Sequence, residues 1–432
     1  MERCGTWSID VAAQLALDVF DSISFDFSKE DAKAMGGGML VDWQWRMVYI
    51  DGEKVYGKID EQKLARAVEY ILVNGKVDKR RNNSSVRDKI VQLLYEQKKH
   101  NSQHVRESIE SLFKALLAEK PSKWEVYMPI YGISIDDKTI IGKGDFSFMS
   151  ADWIENIHIP HLYGLDEDDI KSKIWPKCAH VGAIVCANDG EKAREIAAQK
   201  FEWLQNAMRF FIDDKAYRIG ITNFDFGYAE NSLAIQSDGV AASMSSSLKG
   251  TIQLLPIKKL LELRPFDVML SMLGDSNRQL TDMQRRVKHA IYLGGMSSQV
   301  ESMSLAYFLC VSALEALFQH NGNQYVNPSI AQQIIEAFCY LIVAPEERRK
   351  CADELQSSYG KRSAIAHGAS KELSESEVQK MRSYLRIAVC KLLMDAELSK
   401  IKTTEELLSI VKHRKFGGAI QDCSENREER SA

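Results

Sequence analysis

Between Phe308 and Phe318 the chain carries one charged residue, Glu315, in a run that is otherwise apolar or small. Such a segment is stable in water only as a helix covered around most of its circumference, which commits the flanking sequence to supplying other helices. Met303 to Phe318 reads as that helix, stopped by Asn321-Gly322. No apolar run in the chain is long enough to span a bilayer, so the reading has no membrane in it. A carboxylate at an apolar helix face is costly unless a cation meets it. Glu315 then has two placements. It pairs with a basic residue from elsewhere, for which Arg362 is the candidate, or it faces solvent from the rim of its helix.

The sequence around this run is helical from Pro265 onward. Asp275 to Leu293 is amphipathic, with Val287, Ala290 and Ile291 inward, and Gly294-Gly295 is expected to break it. Pro328 starts a helix carrying Ile330, Ile334, Ile335 and Phe338. Pro345-Glu346-Glu347 starts another, with proline in the first turn and acids at the positive end of the dipole. Ser374 and Glu377 have capping-box spacing, ahead of a stripe of Val378, Met381, Leu385, Val389 and Leu392. Residues 263–416 are read as an all-α helical bundle, and 417–432 as a disordered polar tail.

Upstream the pattern differs. Residues 1–122 are a mostly helical, mixed region. It holds a short helix at Val11 to Phe20 and a strand through Trp43, Trp45, Val48 and Ile50 that ends at Asp51-Gly52. Next comes a helix with Leu64, Ala67, Val68, Ile71 and Leu72 on one face, then helices at about Val86 to Lys99 and Ser102 to Ala118. Residues 123–262 read as an α+β domain. Its expected strands are Trp124 to Ile135, Thr139 to Phe148, Cys178 to Cys186, Tyr217 to Asn223, Ser232 to Ser237 and Ile252 to Leu255. A helix from Gly190-Glu191 to about Ile212 carries a stripe of Ala193, Ala197, Phe201, Leu204 and Met208. The fold class is therefore multidomain α+β, with a helical C-terminal third.

Several chemistries find little support. The net charge of −4 gives no global pull on nucleic acid, so any RNA contact must be local. Lys76, Lys79, Arg80 and Arg81 form such a patch, readable as a phosphate contact or as a solvated loop. No Gly-Lys-Ser/Thr follows Gly36-Gly37-Gly38, and Gly142-Lys143-Gly144 is too short for a phosphate loop and suits a bulge or turn. Cys178, His180 and Cys186 lack metal-ligand spacing, so no metal and no cofactor is expected. The eight cysteines are scattered and fall largely in apolar helical segments, which points to a reducing cytoplasm without a disulfide framework. The N-terminus lacks the order of a secretory signal.

The stretch with chemistry is Tyr359-Gly360-Lys361-Arg362-Ser363-Ala364-Ile365-Ala366-His367-Gly368. Arginine is a permanent cation matched to phosphate, and histidine exchanges protons near neutral pH. Five residues of helix turn through about 500°, leaving Arg362 and His367 about 140° apart unless the backbone bends. Gly360 and Gly368 bracket the segment where it could bend.

Arg362-x4-His367 with Tyr359 and Gly368, together with Ala313-Leu314-Glu315-Ala316-Leu317 upstream, resembles the HEPN superfamily, in particular its Apea-like branch. The resemblance covers roughly Pro265 to His413. It implies a HEPN helical bundle, a homodimer or higher homo-oligomer, and metal-independent endonucleolytic cleavage of RNA at a shared cleft. It also implies that Arg362 stabilises phosphate and His367 transfers protons, with Ser363, Glu315 and Tyr359 in support. An antiviral defence or toxin role, answering to a regulatory partner or a phage-derived trigger, comes from the resemblance alone. Residues 123–262 are then expected to recognise something or to hold the nuclease idle. The alternative within the family is a catalytically silent module that binds RNA or a partner protein.

Overall fold

Two compact units divide the chain, one of Met1–Val126 with Ile184–Ala198 and the other of Tyr127–Ala183 with Gln199–Ala432. The computed structural model describes residues 8–25, 45–75, 81–136, 140–150, 152, 179–213, 217, 219–221, 229–235, 242–248, 254–275, 278–320, 329–367 and 373–417. These form a mixed α+β chain dominated by helices.

In the first unit, α1 (Ile9–Asp21), α2 (Glu61–Asn74), α3 (Asn83–Lys99) and α4 (Val105–Ala118) enclose one core. The stripe Leu64, Ala67, Val68, Ile71 and Leu72 is buried there, and the Asp60 carboxylate caps α2 by accepting from the amides of Gln62 and Lys63. β1 (Trp45–Ile50) ends at Asp51-Gly52, where φ is 53° and 79°. Two left-handed residues in succession suit the turn of a two-residue hairpin, and β2 (Glu53–Lys58) returns antiparallel from it. The strand expected from the sequence ends at this turn, and β2 lies beyond it.

The second unit contains parts of a four-stranded sheet of order β3 (Ser122–Pro129), β7 (His180–Ala187), β6 (Phe146–Met149), β5 (Ile140–Lys143). The strand expected from Thr139 to Phe148 is, over its described residues from Ile140 onward, a hairpin rather than one strand, and Thr139 lies outside the described residues. Gly144, at φ 59°, turns the chain between β5 and β6, while Gly142 and Lys143 end β5 paired with Ser147 and Phe146, so only the last residue of Gly142-Lys143-Gly144 is turn structure. The expected strand from Trp124 to Ile135 likewise divides into β3 and β4 (Ile133–Ser134). The stripe of α5 (Gly190–Ile212) is buried at every expected position. β8 (Ala229–Ile235) pairs antiparallel with β9 (Ala242–Leu248), whose serine-rich sequence carries little strand signal. β10 (Leu255–Pro256) pairs with β4 in parallel.

The helical part runs α6 (Ile257–Glu262), α7 (Arg264–Leu273), α8 (Asp282–Ser297), α9 (Met303–Phe318), α10 (Ile330–Leu341), α11 (Arg348–Ala366), α12 (Glu375–Met394), α13 (Thr404–Phe416). α9 is its hub, packed against α8, α10, α11 and α12. Its charge-light run is buried through Ala306, Tyr307, Cys310, Val311, Ala313, Leu314, Leu317 and Phe318.

Gly294-Gly295 does not break α8; both glycines lie inside it and are buried. A Cβ on Gly295 would stand 2.0 Å from the Asn206 carbonyl oxygen of α5, and one on Gly294 2.5 Å from the Phe210 ring. The pair is there because two helix backbones approach too closely for any side chain. α8 also starts later than the apolar pattern suggests, at a capping box formed by Thr281 and Gln284. The expected capping box of Ser374 and Glu377 opens α12, whose stripe is buried as read.

Candidate functional site

α11 enters from a 3-10 turn at Pro345–Glu347 and runs unbroken through Gly360 to Ala366. The bend allowed for at Gly360 is absent, and a Cβ there would meet nothing. Of its nineteen residues only Cys351 and Leu355 are buried. Polar ties therefore do much of the work of holding it. The Tyr307 hydroxyl donates to the Ser358 carbonyl at 3.1 Å. Lys380 Nζ lies 2.7 Å from the Glu354 carboxylate, which also accepts from the Tyr384 hydroxyl. Lys361 pairs with Glu377, the capping-box carboxylate of α12.

The most constrained tie joins α11 to Glu315. Arg362 Nη2 donates to Glu315 Oε2 at 3.1 Å, and the Tyr359 hydroxyl donates to Oε1 at 2.7 Å. The Glu315 side chain is 13% exposed and that of Arg362 25%. Glu315 is thus paired rather than solvated at the rim. Burial and then the hydrogen bond to Glu315 push the Tyr359 phenol up to about 12, so it stays a donor through the neutral range. The guanidinium Cζ sits 4.9 Å from the centre of the Phe308 ring and 5.8 Å from that of Tyr359. Cation–π contact with two rings and one charged hydrogen bond fix its plane. Nε is buried without a partner, and Nη1 makes no hydrogen bond among the described residues.

His367 is the C-cap of α11, exposed, with its amide donating to the Ser363 carbonyl at 3.1 Å. Its ring has no hydrogen bond or ion pair among the described residues. Ser363 is half-buried and serves the helix end through that carbonyl. Arg362 and His367 are therefore on one continuous helix, separated by about 7.5 Å of rise, with no contact between them. Gly368 lies outside the described residues. One chain offers one oriented cation with donor capacity left over, and one imidazole open to solvent at the end of its helix.

Other sequence candidates separate from this site. Arg81 is 2% exposed and paired with Glu119, so it is neither a phosphate contact nor part of a solvated loop. Lys76, Lys79 and Arg80 lie outside the described residues, as do Gly36-Gly37-Gly38 and Cys178. His180 is fully buried in β7. Lys143 pairs with Asp267 at 2.6 Å. Sequence reading missed Phe308 and the Lys361–Glu377 pair. Phe308 looks like one more apolar residue of α9. Glu377 looks fully used by its capping box, yet the Lys361 hydrogen bond is what chiefly pulls its carboxyl down to about 2.

Comparison of the chain with protein families, with curated proteins and with solved structures finds no match.

Proposed function

We propose that the chain is a HEPN-type endoribonuclease that cleaves RNA without a metal, with Arg362 and His367 as its working residues. The observation that carries this reading is the arrangement at Glu315. A carboxylate and two aromatic rings fix one edge of the Arg362 guanidinium and leave Nη1 unbonded, as a phosphate-binding arginine requires. RNA carries its own nucleophile. A base removes the 2′-OH proton, the oxygen attacks the adjacent phosphorus, a cation stabilises the crowded phosphate, and an acid protonates the departing 5′-oxygen. Arg362 supplies the cation and His367 the proton transfers. One imidazole cannot hold and lack a proton at once, so two chains sharing a cleft, each with its own His367, supply base and acid separately. Antiviral or toxin activity, and restraint by the sheet-containing region, belong to the same proposal.

The test is incubation of the purified chain with RNA, with and without chelator. Products ending in 2′,3′-cyclic phosphate, unaffected by chelation, are expected. His367→Ala should lower the rate by about 10²–10⁴-fold while its melting temperature stays that of the parent. Full activity in that variant removes His367 from the mechanism. A second reading is favoured by the same salt bridge: with Arg362 engaged by Glu315 and His367 remote from it, the pair is a structural tie in a silent module that binds RNA or a protein. RNA binding without cleavage would select it.

A further inference from the structure

Two thiols meet where α10 turns into α11. Cys339 lies two residues before the end of α10, and Cys351 is the fourth residue of α11. The short connection through Pro345 folds one helix back on the other, and α10 packs on α11, which brings both buried thiols to one interface although eleven residues separate them. Both are free and buried, at 3% and 7% exposure. Cys339 Sγ also lies 3.5 Å from the Arg348 carbonyl oxygen, and Arg348 Nε donates to the Cys339 carbonyl at 3.0 Å. The guanidinium is thereby held at the end of α10 that carries Cys339.

We infer that Cys339 and Cys351 are an oxidisable dithiol whose disulfide fastens α11 to α10. The chemistry assigns the two sulfurs different parts. The hydrogen bond from Cys351, helped by the Arg348 charge, holds the Cys339 thiol below its ordinary value, while the same bond and burial push Cys351 up. Burial is the chief cause that pushes Cys310 and Cys390 up. Cys339, whose carbonyl holds the Arg348 guanidinium, is assigned as the attacking sulfur. As thiolate it attacks a peroxide oxygen, the O–O bond breaks, and a sulfenic acid forms with loss of one water once its proton is counted. The Cys351 sulfur then attacks the sulfenic sulfur, the S–S bond forms, the S–O bond breaks, and a second water leaves. Two thiols and one peroxide become one disulfide and two waters.

The bond would fall at one of only two buried residues of α11. The helix that presents Arg362 and His367 is otherwise anchored by Leu355 and by polar ties, so a covalent clasp changes its freedom more than it would change α9. This inference concerns the fold and stands whether or not the chain cuts RNA.

The test uses the full chain. It is treated with hydrogen peroxide, denatured, alkylated and mapped by peptide mass. Expected are a linked peptide pair joining Cys339 to Cys351, loss of two alkylatable thiols, recovery of both with dithiothreitol, and a higher melting temperature for the oxidised protein. Cys339→Ser should give no linked pair and leave Cys351 alkylatable. The parent protein alone decides the matter if that variant does not fold. Recovery of both thiols free after the exposed Cys186 has been oxidised overturns the inference. So does their conversion to separate sulfinic acids.

Discussion

Eight of the sixteen residues of α9 are buried, against two of the nineteen in α11. The two helices pack against each other and share one ion pair, but they are held by different forces. α9 is fixed by apolar burial on several sides, which makes the position of Glu315 as rigid as the core itself. α11 is held by hydroxyls, lysines and the Glu315 carboxylate, and its free face carries Gly360 and ends at His367. The contrast separates positioning from presentation. A buried helix supplies the fixed point, and an exposed helix takes its register from that point while keeping His367 in water.

Leu314→Ala tests the burial side. Leu314 is 1% exposed, and removing its branched end should cost about 2–5 kcal/mol through lost burial and a residual cavity. Chemical denaturation measures it, and a cost below that of an ordinary surface change would mean that α9 is not the hub. Glu315→Gln tests the shared tie. It keeps the shape and removes the charge, and should cost about 1.5–3 kcal/mol, the range for a hydrogen bond to a charged group. If Tyr359→Phe and Glu315→Gln combine additively in a double-mutant cycle, the phenol and the carboxylate do not cooperate. Gly360→Ala tests the polar side with the smallest effect and the opposite sign. With nothing near the added methyl and helical backbone already in place, a gain of about 0.5–1 kcal/mol is expected. A loss would show that something approaches that face in solution.

What could be read from the sequence follows from how local its cause is. Capping residues and apolar stripes act within a turn or two, so α2, α5 and α12 are legible, down to the Ser374–Glu377 box. The Glu315–Arg362 pair is legible only in part: a single charge in an apolar run calls for a cation or a place at the rim, and the run alone leaves both placements open. Gly294-Gly295 is misread because the rule that glycine ends helices is local, while the cause, the backbone of α5 at Asn206, is remote in sequence. Phe308 and Lys361 are invisible for the same reason. Nothing in the local pattern says which ring lies under Arg362 or which carboxylate Lys361 will meet.

The tie between Glu315 and Arg362 spans 47 residues of chain, and this matters while the protein is being made. Synthesis proceeds at about 5–20 residues per second, so α9 leaves the ribosome about 2–10 s before its arginine does. During that interval the run from Phe308 to Phe318 has α8 and then α10 to pack against but not yet α11 or α12, so part of its apolar surface stays open to a neighbouring chain. Its one carboxylate is then fully hydrated and charged, and acts as a gatekeeper against that association. When α11 arrives, the same group changes duty and becomes the anchor for Arg362. A single side chain thus guards the helix before folding and orients Arg362 after it.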